Sequence, residues 1–516
     1  MINKVVSKAF GGVYMRLREL LKDLPVLNVQ GNLDLEINSV VQDSRKAKPG
    51  SLFIAVKGAE IDGYNYIKDA VSRGALAVMV NEDAQARAST ELSETVGSLN
   101  NSVCLVAVAD TRKLLFPIGN TFYQEPASHL KLIGVVGTNG KTTSTFLIKS
   151  ILETAGKNTG LLGTICNILG KKVRSTKNTT PGTLELQELF AQMVQENLEY
   201  VVMEVSSHAI AQERIGGLDF AGGVFTNITQ DHLDYHHTFN EYFRVKSSFF
   251  RALSKEAFAV INLDDPHGTE IIKKTVAPVL TYGLSTQAQI QAEQIKKSMK
   301  HTEFTLVTPN GRLDLRLNLI GDFNIYNALA AIGCALALGI DLETIKRGLE
   351  RVDYIPGRFQ TIPESKDFTV VIDYAHTPDG LENLLRTARN LTKNRLITVF
   401  GCGGDRDRGK RPLMGGISAR YSDFSVITND NPRSEDPAAI AAEIEEGFID
   451  SQQVKKYKIV LDRKNAIEEA IFMAEPGDLV VIAGKGHENY QVLAGETVYF
   501  DDREVASAAL KERYNG

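Results

Sequence analysis

The sequence predicts an α/β fold divided into three domains, and three observations lead there. Short apolar runs alternate with helical and polar stretches along nearly the whole chain. A strand, a glycine loop and a helix follow one another from residue 132 to about 156. The pair Pro356-Gly357 punctuates the pattern, which then restarts. A length of 516 residues fits the same division, at roughly 100–200 residues per domain.

The first domain is expected over residues 1–128, with apolar runs at 52–56, 66–72, 75–80 and 103–108. The second, 129–356, opens on the strand 132–136, broken only by Gly134, with further strands at 200–205, 223–226, 258–262 and 279–282. Helical stretches separate several of these, as parallel strands require. From 311 to 319, Leu313, Leu315, Leu317 and Leu319 alternate with Asp314, Arg316 and Asn318. That period of two predicts an antiparallel appendage with one wet face. The third domain, 357–516, carries strands at 368–372, 396–400, 424–427, 459–461 and 479–483.

Composition narrows the function. With 58 Lys and Arg against 63 Asp and Glu, the net charge is −5, and no Lys/Arg block stands out. Bulk attraction to nucleic acid or an anionic membrane is therefore excluded, and a polyanionic ligand must be held by local sites. Cys104, Cys166, Cys334 and Cys402 are far apart, without a C-x-x-C pair. They build neither a disulfide framework nor a thiolate metal site, which fits a reducing compartment. No run approaches the ~20 apolar residues of a membrane span, and the start of the chain is mixed charged and apolar, unlike a signal peptide. A cytoplasmic protein is expected.

Gly137-Thr138-Asn139-Gly140-Lys141-Thr142-Thr143 can cradle phosphate. Glycines let successive backbone N–H groups face an anion at a helix N-terminus, Lys141 adds charge and Thr142 a hydroxyl suited to magnesium. Only two residues separate the glycines, against four in the general signature, so an ordinary glycine turn is the competing reading.

The loop resembles that of the Mur ligases, ATP-dependent amide ligases of peptidoglycan assembly, and further family motifs follow in order. They are Glu204 in Met203-Glu204-Val205-Ser206-Ser207-His208, Thr226-Asn227 before Asp231-His232-Leu233-Asp234-Tyr235-His236, and Gly321-x-Phe323-Asn324-x-x-Asn327. Pro356-Gly357-Arg358-Phe359 and Asp373-Tyr374-Ala375-His376 come next. The resemblance runs from about residue 40 to the end. It implies a central phosphate-loop ATPase domain with a mostly parallel sheet, a small N-terminal α/β domain for the UDP substrate, and a C-terminal Rossmann-like α/β domain for an amino acid. It also implies ATP and two Mg²⁺ as cofactors, and a monomer.

Within the family, Asp430-Asn431-Pro432-Arg433 resembles the signature of members that add meso-2,6-diaminopimelate to UDP-N-acetylmuramoyl-L-alanyl-D-glutamate. A planar guanidinium can grip the distal carboxylate of diaminopimelate in two parallel hydrogen bonds, and lysine has no carboxylate there. The resemblance brings Lys141, Lys246 and His232 into the catalytic centre and makes Thr142, Glu204, His232 and Lys246 the metal neighbourhood. The resemblance also implies that Lys246 is a carbamate there, helping to hold the second Mg²⁺. As plain lysine it would be a solvated helix charge, and His232 a polar turn residue.

Asn324 and Asn327 open an Ala-rich helix, where carboxamides can read the adenine edge; an N-cap is the alternative for Asn324. Arg358 would reach nucleotide phosphate and Asp373 the ribose hydroxyls. Ser44, Asn178, Thr179, Thr180, Ser206, Gln212 and Arg214 resemble residues that hold the UDP-muramoyl peptide. Arg406, Asp430, Asn431, Pro432, Arg433, Gly484 and Glu488 would form the amino-acid pocket. A second phosphate loop at 401–404 is disfavoured, because no Lys-Thr follows it. A phosphate-loop regulatory NTPase or motor would need no free amine for turnover. Lysine addition, D-alanyl-D-alanine addition or folate polyglutamylation would keep the ligase fold and change the substrate.

Overall fold

The computed structural model describes residues 14–58, 62–96, 103–298, 300–449 and 456–515. Three sheets carry the chain. The first has five strands in the order Val26–Gln30, Cys104–Val108, Ala75–Asn81, Ser51–Ile54, Ser39–Val41, parallel except for the first pair. The apolar run at 66–72 is not a strand, since Ile67–Ser72 forms a helix that buries Ile67, Ala70 and Val71. The register at 75–80 survives because its residues face a core on both sides.

The central sheet has eleven strands. Seven of them, from Thr159–Leu162 through Tyr200–Val205, Lys131–Val136, Phe220–Phe225, Phe258–Asn262 and Val279–Gly283 to Ile290–Lys297, pair in parallel. Both faces are covered, as such a sheet demands. On one, the helices Lys141–Thr154, Asp322–Ala337 and Leu342–Glu350 bury Leu147, Ile151, Ile325 and Ile345 against Ile133 and Val135. On the other, Thr183–Gln195 and Phe239–Arg251 bury Phe190, Met193, Phe249 and Phe250 against Leu132 and Val136. The alternating segment expected at 311–319 is the strand Gly311–Leu317, which closes an antiparallel edge with Thr302–Thr308.

The third sheet has six strands, with Thr369–Asp373, Leu479–Ala483, Leu396–Phe400, Phe424–Ile427 and Lys456–Ile459 adjacent and parallel. The last begins earlier than the expected 459–461, because its register sets Lys456 opposite Phe424 and Ile459 opposite Ile427, where the neighbouring strand ends. Lys131–Val136 lies between Tyr200–Val205 and Phe220–Phe225, so strand order reverses at the carboxyl end of the strand that feeds the glycine loop. Open α/β sheets bind ligands at such a switch point.

Candidate active site

The glycine loop joins the strand Lys131–Val136 to the helix Lys141–Thr154, with Gly140 as N-cap at φ +83. A Cβ on Gly140 would collide with Asn327 Oδ1, and one on Gly137 with Thr226 Oγ1. Space and backbone therefore both demand glycine here. The loop is laced to the next strand end: Asn139 N donates to Asn227 Oδ1 at 2.9 Å and Thr226 Oγ1 donates to the Asn139 carbonyl at 2.6 Å.

Two lysines converge on one carbonyl. Lys141 Nζ donates to the Gly137 carbonyl at 2.8 Å and Lys246 Nζ donates to the same oxygen at 2.7 Å. Lys246 lies inside the helix Phe239–Arg251, whose Thr238 cap accepts from Glu241 N, and the residue is only 2% exposed. Burial, then the neighbouring Lys141, hold the Lys246 amine well below the usual lysine range, and burial lowers Lys141 as well. A solvated helix charge is thus not what Lys246 is.

Glu204, 1% exposed, ends its strand beneath the loop. Its carboxylate accepts from Thr142 Oγ1 at 3.0 Å, Thr164 N at 2.8 Å and Thr164 Oγ1 at 3.0 Å. His232, in the left-handed region at φ +53, sits with its Nε2 3.4 Å from Asp231 Oδ2 and its ring against His208. Burial pushes the His232 imidazole down to about 3, so it is neutral. Thr142 and Glu204 offer hard oxygens, which magnesium prefers. Neutral His232 is compatible with that neighbourhood; Lys246 as an ammonium is not. Among the described residues no group of three or more His, Cys, Asp or Glu forms a ready cation cage.

A cavity of about 330 Å³ opens beside the loop, lined by Gly140, Thr142, Asn327, Arg358 and Asp373 among others. Arg358 Nη2 donates to Thr142 Oγ1 at 2.9 Å across the joint between the central and third sheets, and its guanidinium lies over the Tyr374 ring. A second contact across the joint runs from Asn139 Nδ2 to Asp379 Oδ2 at 2.7 Å. Asp373 accepts from Phe359 N at 2.7 Å and Ala375 N at 2.8 Å, so its carboxylate also fixes the turn around it. Asn324 is not the N-cap of its helix, a position held by Gly321. Its carboxamide donates to the Ile320 carbonyl and accepts from Asn327 Nδ2 at 3.0 Å, and it does not line the cavity.

Thr180, Ser206, Gln212 and Arg214 form one cluster. Thr180 Oγ1 donates to the Glu204 carbonyl and accepts from Ser206 N, and Arg214 Nη1 donates to the Thr180 carbonyl at 2.9 Å. Gln212 Oε1 accepts from Arg214 Nη2 at 2.7 Å, and Ser206 caps the helix Ser207–Ala211. Thr179 Oγ1 lies 3.0 Å from Thr164 Oγ1, while Asn178 is exposed. Ser44 is buried in the first unit, where its hydroxyl holds the Asp69 carboxyl below the usual range. Among the described residues no hydrogen bond ties Ser44 to this cluster.

The third sheet gathers the remaining residues at its carboxyl ends. Arg406 is exposed and Nη1 donates to the Asp405 carbonyl at 2.8 Å. Arg433 is half-buried at φ +54, with Nη1 on the Gly404 carbonyl at 2.7 Å. Asn431 Nδ2 donates to Glu488 Oε2 at 3.1 Å. Pro432 closes the turn, its carbonyl set where a Cβ on Gly404 would fall. Asp430 Oδ2 is buried without a hydrogen-bond partner, and Gly484, at φ +114, leaves it room. Burial alone would raise Asp430, but Lys485, Arg463, His376 and Lys410 together leave it lowered.

Sequence reasoning missed Arg411, which is fully buried and holds this loop: it bonds Glu435 and Glu443 and donates to the Gly403 carbonyl. It also missed Thr164, whose partner Glu204 lies 40 positions away. Neither carries a local pattern that would have found it.

Comparison with known proteins gives three family matches: Mur ligase family, catalytic domain, at residues 36–113; Mur ligase middle domain at 135–335; and Mur ligase, glutamate ligase domain, at 357–486. The chain is 46% identical to a UDP-N-acetylmuramoyl-L-alanyl-D-glutamate--2,6-diaminopimelate ligase of Syntrophomonas wolfei, covering 96% of this chain and 99% of that one. It is 44% identical to the protein of the same name from Geobacillus kaustophilus, over 97% and 100%. A solved ligase of that name aligns at TM-score 0.63 and 31% identity over 97% and 99% of the chains. MurF from Acinetobacter baumannii, 21% identical with TM-score 0.66 over 98% and 99%, shares the fold.

Proposed function

The chain belongs to the Mur ligase family, and from that premise we propose that it joins meso-2,6-diaminopimelate to UDP-N-acetylmuramoyl-L-alanyl-D-glutamate at the expense of ATP. The observation that carries the substrate is the half-buried Arg433 in the same turn as Asn431, whose carboxamide meets Glu488, on a chain 46% identical over 96% of its length to a ligase of that name. The working units are taken as residues 1–128 for the UDP substrate, 129–356 for ATP and 357–516 for the amino acid.

The glutamyl carboxylate attacks the γ-phosphorus of ATP, which releases ADP and leaves an acyl phosphate. The free amine of diaminopimelate then attacks the acyl carbon, the bond to phosphate breaks, and an amide, inorganic phosphate and a proton result. Residues 137–143 hold the triphosphate, with Lys141 swinging from the Gly137 carbonyl to the phosphate oxygens. Asn327 faces the base, Asp373 the ribose, and Arg358 the phosphate, exchanging its bond to Thr142 for one to the nucleotide. Asn324 acts behind Asn327, fixing the orientation of its carboxamide.

Thr142, Glu204 and His232 would hold magnesium, which neutralises charge between the triphosphate and the approaching carboxylate. A second ion fits only if Lys246 is carbamylated. Its depressed basicity favours the neutral amine that adds to carbon dioxide, and a carbamate would turn two clashing cations into a pair of opposite charges. Ser44, Asn178, Thr179, Thr180, Ser206, Gln212 and Arg214 take the UDP-muramoyl peptide. Arg406, Asn431, Arg433, Gly484 and Glu488 take the amino acid, with Asp430 and Pro432 shaping the turn. No described helix is long and apolar enough to cross a membrane, and the substrates are those of the cytoplasm.

Closure of the third unit on the loop keeps water from hydrolysing the acyl phosphate. The test is phosphate release from ATP with the UDP-muramoyl dipeptide and one amino acid at a time. Release is expected with diaminopimelate and only far more weakly with lysine or glutamate; release without any amine returns the regulatory NTPase reading.

A further inference from the structure

Lys485 stands between Gly484 and Gly486, immediately past the strand Leu479–Ala483, with no exposed surface. Its Nζ donates to Asn431 Oδ1 and to Glu488 Oε2, both at 3.1 Å, and it lies 5.4 Å from the Tyr490 ring centre. Asn431 Oδ1 also accepts from Val492 N at 2.9 Å. With two donors on its oxygen, the carboxamide must turn its Nδ2 toward Glu488, and it does so at 3.1 Å. Burying an ammonium completely is costly unless its partners need it.

The charges around Glu488 show that need. Lys485, Asp430 and Arg463 face it, with the hydroxyls of Tyr374 and Tyr490. Arg463 is neutralised by Asp502, at 2.8 and 2.7 Å. Lys485 then offsets one of the two carboxylates, Lys410 and His376 stand on the Asp430 side, and Asp430 Oδ2 keeps no hydrogen-bond partner. We infer that Lys485 is a positioning residue of the amine pocket, fixing the Asn431 carboxamide and holding Glu488 as a carboxylate that faces an ammonium group of the incoming amino acid. The inference rests on the third unit being the amino-acid site. Remove the lysine charge and burial with Asp430 raises Glu488 further, so that it takes up a proton at higher pH and no longer meets the ammonium as a carboxylate.

The experiment is phosphate release by the full chain with ATP, the UDP-muramoyl dipeptide and varied diaminopimelate, across about pH 6 to 9. Lys485→Met should raise the KM for diaminopimelate by about tenfold or more, roughly one decade, and leave the KM values for ATP and the UDP substrate in place. The acid-side rise of the amine KM should move toward neutral pH. Lys485→Met with Glu488→Gln removes both charges, so it should lose that acid limb. An unchanged amine KM and pH profile in Lys485→Met overturns the inference, as does an equal loss for all three substrates with no shift of the limb. Where the single variant does not fold, a double variant that keeps the wild-type acid limb overturns it too. Should the unaltered protein release no phosphate with diaminopimelate, it is the function that falls, a distinct outcome.

Discussion

Replacing Arg433 by alanine removes the guanidinium from the amino-acid pocket without touching the nucleotide site. Its Nη1 is occupied by the Gly404 carbonyl at 2.7 Å and, more weakly, the Asn431 carbonyl at 3.4 Å. Among the described residues nothing bonds Nη2 or Nε, so these two donors face outward together, the fork that fits a carboxylate. Two charge-assisted bonds are worth about 1.5–3 kcal/mol each, and half-burial weakens them, so about 2–4 kcal/mol is the expected loss. At about 1.4 kcal/mol per tenfold, kcat/KM for diaminopimelate falls about 30- to 700-fold. That for lysine, which lacks the second carboxylate, hardly changes. Arg433→Lys keeps the charge and loses the fork, and should fall between the two. Because the backbone is left-handed at φ +54 for arginine and for its non-glycine replacements alike, the strain stays constant through the series. The assay is phosphate release with both amines. An unchanged ratio of kcat/KM values would refute the carboxylate contact, even with ATP turnover intact.

Lys246→Ala should abolish turnover at ambient carbon dioxide, and added short-chain carboxylates should restore part of it; labelled bicarbonate should give a carbamate carbon resonance in the parent protein that the variant lacks. Gly140→Ala forces a side chain into the left-handed region, about 1–2 kcal/mol, and into Asn327, so ADP affinity measured calorimetrically should drop by more than tenfold, roughly one decade. The Glu435 carboxyl is held down to about 2 chiefly by hydrogen bonds from Arg411, against an ordinary value of 4.5. A depressed acid stabilises the fold above its unfolded value, so this contribution is complete above about pH 4.5 and fades as pH falls toward 2. Glu435→Gln should flatten that part of the third unit's stability against pH, followed by urea unfolding.

The parallel strands were legible because burial on both faces makes them continuous apolar runs, as at Tyr200–Val205 and Leu479–Ala483. Two strands near the ends of the central sheet escaped for the opposite reason. Lys172–Arg174 is exposed at all three positions, and Thr302–Thr308 places only Phe304 and Leu306 as buried apolar residues between buried threonines, with Thr302 Oγ1 bonded to the Leu319 carbonyl. Motif residues close in sequence, such as 137–143 and 430–433, announced themselves. Arg411 did not, because its partners Glu435 and Glu443 lie 24 and 32 positions on and a lone arginine at a helix start reads as solvated. Lys485 lay inside a motif, but only the fold reveals that its ammonium is enclosed.

A chain of net charge −5 must bring a triphosphate against a carboxylate, and the arrangement of its buried charges explains how. Lys141 and Lys246 share the Gly137 carbonyl, and Arg358 reaches the same helix start from the third unit at 2.9 Å. Lys141 and Arg358, two cationic side chains, thus meet at one helix N-terminus, whose dipole adds to them. Without an anion they repel, and burial with Arg358 already lowers Lys141. A bound polyphosphate relieves that repulsion, and because Arg358 belongs to the third unit, part of the relief appears as closure. Nucleotide affinity and domain closure should therefore be coupled through Arg358. Arg358→Ala should weaken ADP binding and, by reciprocity, leave the third unit more open to proteolysis in saturating ADP than the parent protein.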